Sequence, residues 1–253
     1  MTAPALVALA HGSRDPRSAA TIKALVDEVR ALRPDLRIEP AFLELSKPSF
    51  ETTVAKLVRA GYDEIVVVPL LLTEAYHAKV DVPEAIAAAT ARHEGLRIRA
   101  TKVLGLESVF LEVLDRRLRT ALKEARVREL DALVLAAAGS SDSLANQAVA
   151  RLARLWGSKH RLPVVAAYAS AAPPATGEAV RQFRLEGRRH IAVGSLFLAP
   201  GKHAARDIPE QVADARRRHP HVEFELGRVI GADPLLAELI ALRCGLEGDG
   251  GLG

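Results

Sequence analysis

The chain has 253 residues, of which 49% are apolar and 26% are charged. This balance supplies enough apolar surface for one large or two medium domains and excludes an intrinsically disordered chain. The net charge of +4 is spread along the sequence, without the basic stripe of a nucleic-acid-binding protein, so we expect no nucleic-acid partner.

The N-terminus and the single cysteine bear on cellular location. With only Cys244, the chain can form no intrachain disulfide, which favours a reducing compartment. Residues 1–10 lack a basic n-region and lead directly into a polar motif, so they predict a strand and not a signal peptide. No apolar run approaches the ~18 residues that a membrane span needs. We therefore expect a cytoplasmic protein with no membrane partner.

The apolar pattern of the first half predicts a β-α-β-α-β-α-β-α succession. In chain order it gives strand Ala5–Ala10, helix Ala19–Arg30, strand Ile38–Leu43, helix Phe50–Ala60, strand Glu64–Leu71, helix Asp81–Arg92, strand Leu96–Val103 and helix Val109–Ala125. Strands that alternate with helices predict parallel β-α-β units. The nearly continuous Val/Leu run of the third strand is typical of a strand buried on both faces.

The second half repeats the first at an offset of 126 positions. Residues 66–84 and 192–210 each contain an apolar strand, a loop, a histidine and then Asp-x-Pro-Glu, with His77 aligned to His203. Leu104-Gly105 aligns with Ile230-Gly231 at the same offset, and residues 9–13 align with 136–140 at an offset that is one longer. The matches occur in order, so we infer a duplicated domain.

The repeat sets the predicted domain boundaries. We expect an N-terminal domain over residues 1–125, a C-terminal domain over residues 126–246 and a disordered Gly-rich tail over residues 247–253.

Polar side chains follow three strands of the first half. His11 comes after the first strand, Glu44 after the second and His77 after the third. In open parallel sheets, ligands bind beyond the carboxyl ends of the strands, so these side chains are expected at one edge. Two imidazoles and a carboxylate suit Fe²⁺, Co²⁺, Ni²⁺ or Zn²⁺. They also suit the removal of protons from a weakly acidic N–H.

Helix caps account for several other polar residues near these strand ends. Asp15 before Pro16 predicts an N-cap followed by proline at the first helical position. Asp81 with Glu84, and Asp207 in the second half, fit the capping-box pattern.

Three motifs together resemble the sirohydrochlorin chelatase family of the CbiX/SirB type. They are Ala10-His11-Gly12-Ser13-Arg14, then Glu44, then Leu71-Leu-x4-His77-x3-Asp81-x-Pro83. The duplication resembles the long form of the family, in which two chelatase-like halves are fused. The resemblance implies an α/β, class II-like chelatase fold with two duplicated lobes, each a parallel four-stranded sheet flanked by helices.

The resemblance also implies an activity. It is the ATP-independent insertion of Fe²⁺ or Co²⁺, and in some members Ni²⁺, into sirohydrochlorin, in siroheme or cobalamin biosynthesis. The divalent metal is a substrate, and we expect no permanently bound cofactor.

The family's functional residues carry over onto the first half only. His11 and His77 become the paired histidines and Glu44 their acidic partner, as catalytic and metal-binding residues. In the second half, Ala138 aligns with His11 and Ser170 with Glu44, which leaves His203 alone. We therefore expect one active site, in the N-terminal lobe, and a degenerate C-terminal lobe.

The remaining predicted contacts are with the tetrapyrrole substrate. Residues that flank the motifs could hydrogen-bond to it or pair with its carboxylates. They are Ser13, Arg14, Lys47, Lys79, Lys202, His203 and Arg206. We also expect a monomer, because the fused duplication supplies within one chain the cleft that a short form makes by dimerising.

Other functions stay open at the level of sequence. A non-catalytic metal or tetrapyrrole carrier on the same fold would use the same ligands. A histidine phosphatase is disfavoured, because Ala10 stands where such enzymes have an arginine, and a solute-binding protein is disfavoured by the lack of an export signal. Two histidines and a glutamate do not choose among iron, cobalt and nickel by intrinsic affinity, so the metal and the pathway stay open.

Overall fold

The computed structural model describes residues 4–74, 76–125 and 129–245 of the chain. It forms two compact units, Met1–Glu107 with Ala232–Gly253 and Ser108–Gly231, here called the first and second units. The tail predicted to be disordered, residues 247–253, lies outside the described residues. Within the described parts of the chain, no helix is both long and apolar enough to cross a membrane.

The first unit contains a four-stranded parallel sheet in the order β2-β1-β3-β4. Its elements are β1 Ala5–Ala10, α1 Pro16–Leu32, β2 Ile38–Phe42, α2 Phe50–Arg59, β3 Glu64–Pro69, α3 Val82–Arg92, β4 Arg97–Ala100 and, from the end of the chain, α8 Pro234–Gly245. A π-helical turn over His77–Asp81 precedes α3. The helix α1 begins three residues before the predicted Ala19, but it has the predicted cap, with Asp15 accepting a hydrogen bond from the Arg17 amide and with Pro16 at the first position.

The second unit repeats this architecture with the strand order β6-β5-β7-β8, again all parallel. Its elements are α4 Val109–Ala125, β5 Ala132–Ala137, α5 Ser143–His160, β6 Val164–Tyr168, α6 Thr176–Leu185, β7 His190–Ser195, α7 Ile208–Arg218 and β8 Glu223–Leu226. A second π-helical turn covers His203–Asp207. The predicted α/β class with two parallel four-stranded sheets is therefore confirmed.

The division into units differs from the boundary that the sequence repeat predicted after residue 125. Helix α4 closes the first sequence repeat, yet it packs against β7 and β8 of the second unit. Helix α8 closes the second repeat, yet it packs against α1 and β3 of the first unit. The two repeats thus exchange their last helices. An amphipathic pattern predicts that a helix covers a sheet, but it does not say which of two similar sheets.

The central strand β1 is buried along its whole length and organises the core of the first unit. Ala5, Val7 and Leu9 lie in one apolar cluster with residues of α2, among them Val54 and Leu57. Because burial on both faces removes nearly all of this strand from water, it provides a rigid base for the loop that follows it.

Trp156 fills the core of the second unit and links α5 to α4. It is 0% exposed, and Gly194 on β7 leaves room for its ring, since a Cβ at that glycine would lie 2.6 Å from it. The indole N–H donates to Asp115 at 2.7 Å, and the same carboxylate accepts from His160 at 2.7 Å and from Lys159 at 2.8 Å. Burial alone would raise the pKa of Asp115, but these hydrogen bonds outweigh it and hold the pKa below its ordinary value.

Candidate active site at the strand ends of the first unit

Backbone hydrogen bonds that continue past β1 and β2 hold His11 beside Glu44. The Leu43 amide donates to the Ala10 carbonyl at 2.9 Å, and the Glu44 amide donates to the His11 carbonyl at 3.0 Å. The ladder between the strands therefore extends over both functional residues. Their side chains meet as well, with His11 Nε2 3.2 Å from Glu44 Oε1. The predicted proximity of these two residues is observed.

Gly12 is required for this close approach. Its φ of +102° is a conformation that side-chain-bearing residues rarely adopt, and a Cβ there would lie 1.8 Å from the Glu44 carbonyl oxygen. That carbonyl also accepts from the Ser46 amide at 2.7 Å, which closes a tight turn around Leu45 at φ 59°. The Ser46 hydroxyl fixes the neighbouring loop by donating to the Ser13 carbonyl and accepting from the Ser13 amide.

His77 joins the other two from the π-helical turn after β3. The rings of His11 and His77 meet edge to face, with centroids 4.1 Å apart and planes at 70°. Tyr76 in turn packs edge-on against His77, with ring centroids 6.0 Å apart. The strand ends thus bring His11, Glu44 and His77 together, as the sequence predicted.

Asp81 supports His77 and does not cap a helix, so the predicted capping box is wrong at this position. The Asp81 backbone is already helical and its side chain makes no capping hydrogen bond. The preceding π-helical turn supplies a partner for the Val82 amide, which donates to the His77 carbonyl. The Asp81 carboxylate instead contacts His77 Nδ1. The spacing His-x3-Asp, present in both halves, was the sequence signal for this pair.

Both histidines have an acceptor oxygen at Nδ1. His11 Nδ1 lies 3.2 Å from the Gly12 carbonyl and His11 Nε2 lies 3.2 Å from Glu44 Oε1, so each nitrogen of this ring faces an oxygen that accepts. The carboxylate of Asp81 favours a proton on Nδ1 of His77. Nε2 of His77 is then the nitrogen that can take a proton or a cation.

The three side chains are accessible from solvent. The exposed fractions are 31% for His11, 57% for Glu44 and 48% for His77. Within residues 4–74, 76–125 and 129–245, no group of three or more His, Cys, Asp or Glu side chains has the arrangement of a metal site. The metal-binding role of these three residues stays a prediction.

The predicted substrate contacts lie on several loops. In the first unit, Arg14 and Lys47 are exposed in the loops after His11 and Glu44, and Lys79 is exposed in the π-helical turn. The hydroxyl of Ser13 accepts a hydrogen bond from the Asp15 amide at 3.1 Å, so it also shapes its own loop.

The two predicted cations of the second unit lie near one carboxylate. Arg206 Nε is 3.2 Å and Lys202 Nζ is 3.9 Å from Asp207. Their predicted roles toward substrate stay predictions.

The second unit keeps the frame of the site but lacks two of its functional groups. Gly139 occupies the place of Gly12, with φ +85° and a Cβ position 1.9 Å from the Ser170 carbonyl oxygen. Ala138 and Ser170 stand where the first unit has His11 and Glu44, as the alignment predicted. His203 remains, with Nδ1 2.7 Å from Asp207.

The carboxylate beside His203 is a charged acceptor and not a helix cap. Burial alone would raise the pKa of Asp207, but hydrogen bonds from His203 and Arg206 outweigh it and lower the pKa. Its backbone is helical and its side chain makes no capping hydrogen bond, so the predicted cap is wrong here as well. A cavity of about 660 Å³ adjoins this pair and is lined by Ala169, Ser170, Lys202, His203, Asp207, Glu210, Gln211, Asp214 and Arg217.

Comparison with known proteins agrees with the duplicated architecture. The CbiX family model matches residues 5–121 and 132–245. Sirohydrochlorin cobaltochelatase of Priestia megaterium is 27% identical over 248 residues, covering 94% of this chain and 79% of that protein. Sirohydrochlorin ferrochelatase of the same organism is 27% identical over 242 residues, covering 94% of this chain and 88% of that protein.

The fold agrees with a solved structure as well. The structure of SirB from Bacillus subtilis with Fe³⁺ superimposes with a TM-score of 0.77 at 28% identity, covering 95% of this chain and 93% of that chain. The family model matches both halves of the sequence, and the chain therefore belongs to the CbiX family.

Proposed function

We propose that this protein is a chelatase that inserts Fe²⁺ or Co²⁺, with Ni²⁺ as a further candidate, into sirohydrochlorin without ATP. Family membership and the names of its relatives support the reaction. The observation that carries it is the edge contact of His11 with His77 at 4.1 Å, with Glu44 3.2 Å from His11 Nε2. This arrangement gathers two imidazoles and one carboxylate at the strand ends.

Insertion of a divalent cation requires two protons to leave the pyrrole-type nitrogens. When Nδ1 of His11 carries the ring proton and donates to the Gly12 carbonyl, Nε2 presents a lone pair beside the Glu44 carboxylate. Two acceptors 3.2 Å apart then attract a proton or a cation between them. We assign His11 and Glu44 as a joint acceptor for a proton that leaves the macrocycle.

His77 supplies the second basic nitrogen, and Asp81 keeps that nitrogen available. A carboxylate on Nδ1 fixes the tautomer and the orientation of the ring, as it does for histidines that bind metals. Imidazole nitrogens together with a carboxylate suit iron, cobalt and nickel. A protein ligand set with open coordination positions can pass the cation on to the macrocycle nitrogens.

The remaining assignments extend the same proposal. We assign Ser13, Arg14, Lys47 and Lys79 of the first unit, and Lys202, His203 and Arg206 of the second, as contacts to the substrate, whose carboxylates suit cationic partners. We further propose a cytoplasmic monomer with no permanently bound cofactor, in siroheme or cobalamin synthesis.

The test is anaerobic absorbance spectroscopy of sirohydrochlorin with catalytic amounts of protein and Fe²⁺, Co²⁺ or Ni²⁺ in turn, without ATP. We expect metallation faster than the spontaneous rate, with many turnovers per protein, and a rate lowered by at least tenfold in Glu44→Gln. The exposed carboxylate variant Glu51→Gln, on α2 of the same unit, serves as the control. Spectral binding of one tetrapyrrole per chain without acceleration would refute the enzyme and support a carrier.

A further inference from the structure

Two large apolar side chains adjoin the candidate active site and are left exposed. Leu45 directly follows Glu44 and is 52% exposed, and Tyr76 directly precedes His77 and is 65% exposed. A ligand that covers leucine and tyrosine side chains of such exposure removes apolar surface from water, which favours binding. We propose that Leu45 and Tyr76 form an apolar platform that binds the face of the tetrapyrrole macrocycle, an inference that rests on the proposed function.

A chain of contacts links the two apolar residues to the site. Tyr76 packs edge-on against the ring of His77, His77 packs against His11, and His11 contacts Glu44, which is bonded to Leu45. Leu45 and Tyr76 are therefore chain neighbours of Glu44 and His77, which carry the candidate proton and cation acceptors. A flat conjugated ring that covers both apolar side chains would lie against these acceptors.

The fold itself does not require either side chain. The turn that holds Leu45 at φ 59° recurs in the second unit around Ala171 at φ 62°, where a methyl group suffices. A branched side chain in this left-handed region is strained. The residue aligned with Tyr76 is Lys202. The apolar pair thus occurs in the unit that carries the two histidines and is missing from the unit that has lost one.

The charges nearby define the occupant. Arg14 and Lys47 are exposed three residues after His11 and after Glu44, in the same two loops. An apolar surface bordered by cations suits a flat, apolar ring with a carboxylate periphery. It is a poor match for an aliphatic lipid or for a protein partner with a basic surface.

The experiment titrates metal-free sirohydrochlorin into wild type, Tyr76→Ala, Leu45→Ala and Tyr76→Phe, and follows tetrapyrrole absorbance or fluorescence. Each alanine variant removes apolar contact with the macrocycle and is expected to raise Kd about tenfold, while Tyr76→Phe should keep Kd within about twofold of the wild-type value. The control is Leu32→Ala, an exposed leucine at the far end of α1.

The outcomes separate this inference from the proposed function. If the wild type metallates sirohydrochlorin but both alanine variants bind it with unchanged Kd, the platform is refuted and the proposed function stands. A wild type that neither binds nor metallates sirohydrochlorin would refute both. If Tyr76→Phe binds sirohydrochlorin as weakly as Tyr76→Ala does, the tyrosine hydroxyl carries the affinity and the apolar assignment is overturned.

Discussion

Replacement of Gly12 by alanine tests how closely the two strand-end loops must approach. The new Cβ would lie 1.8 Å from the Glu44 carbonyl oxygen, whereas real Cβ contacts stay beyond 3.0 Å, so the loops must separate by more than an ångström. The left-handed backbone adds about 1–2 kcal/mol of strain. The weakened bonds from the Glu44 and Ser46 amides add about 0.5–1.5 kcal/mol each. We expect a total loss of about 2–5 kcal/mol in the free energy of unfolding.

The same displacement affects the chemistry, because Glu44 moves away from His11 Nε2. A misplacement of about 1 Å at a reacting group lowers rates by about 100-fold. We therefore expect Gly12→Ala to metallate sirohydrochlorin about 100-fold more slowly than wild type under anaerobic conditions.

Two other glycines separate the contributions. Gly61, at φ +89°, has nothing within 4 Å of its Cβ position, so Gly61→Ala introduces backbone strain without a clash. Gly139→Ala repeats the clash in the second unit, with a Cβ 1.9 Å from Ser170 O. We expect Gly139→Ala to lose stability like Gly12→Ala, in thermal and denaturant unfolding, yet to keep its metallation rate. A Gly12→Ala protein with the wild-type rate would refute the reasoning.

Three further predictions follow from single contacts. Asp81→Asn should lower the metallation rate about 10- to 100-fold, because the carboxylate that orients His77 is lost, while Asp27→Asn on the exposed face of α1 should not; equal rates would contradict the pairing. Ser46→Ala should lower the free energy of unfolding by about 1–3 kcal/mol through loss of two loop hydrogen bonds. A second substitution, Ala19→Asn, should restore part of this stability by copying the hydrogen bonds between Asn146 and Ser140 in the second unit. Unchanged stability of Ser46→Ala would show that the hydroxyl is dispensable. Asp115→Asn should lower the free energy of unfolding by about 2 kcal/mol near neutral pH. Since folding lowers the pKa of Asp115, its contribution is present above the unfolded pKa near 3.8 and is lost as the pH falls through the lower folded value, so the variant should show a shallower loss of stability in acid unfolding below about pH 4.

Much of the fold follows from local patterns. The buried strand β1 is a continuous apolar run that ends at a polar motif, and the histidines and the glutamate were predictable because parallel strands end at one edge. The exchange of α4 and α8 between units was not predictable in the same way. An apolar helix face does not specify which of two similar sheets it covers, and the choice depends on packing that a single helix pattern does not contain.

The detailed geometry of the site was also not predictable from sequence patterns. Asp81 fits a capping position and a His-x3-Asp pair equally well, and the π-helical turn decides between them by making the backbone helical before Asp81. The support of the Ser13 loop illustrates the same limit. Ser46 from the next strand end provides it in the first unit, whereas Asn146 from α5 supports Ser140 in the second. Because two different residues support the equivalent loops, alignment of the two repeats does not reveal this role.

The most direct test of the central claim is the initial rate of Co²⁺ insertion into sirohydrochlorin by the His11→Ala/His77→Ala double variant. Wild type and His93→Ala, a histidine at the end of α3, serve as references, and circular dichroism verifies that each protein is folded. The account predicts wild-type rates for His93→Ala and a fall to the spontaneous rate for the double variant. A folded double variant that metallates sirohydrochlorin at the wild-type rate would contradict it.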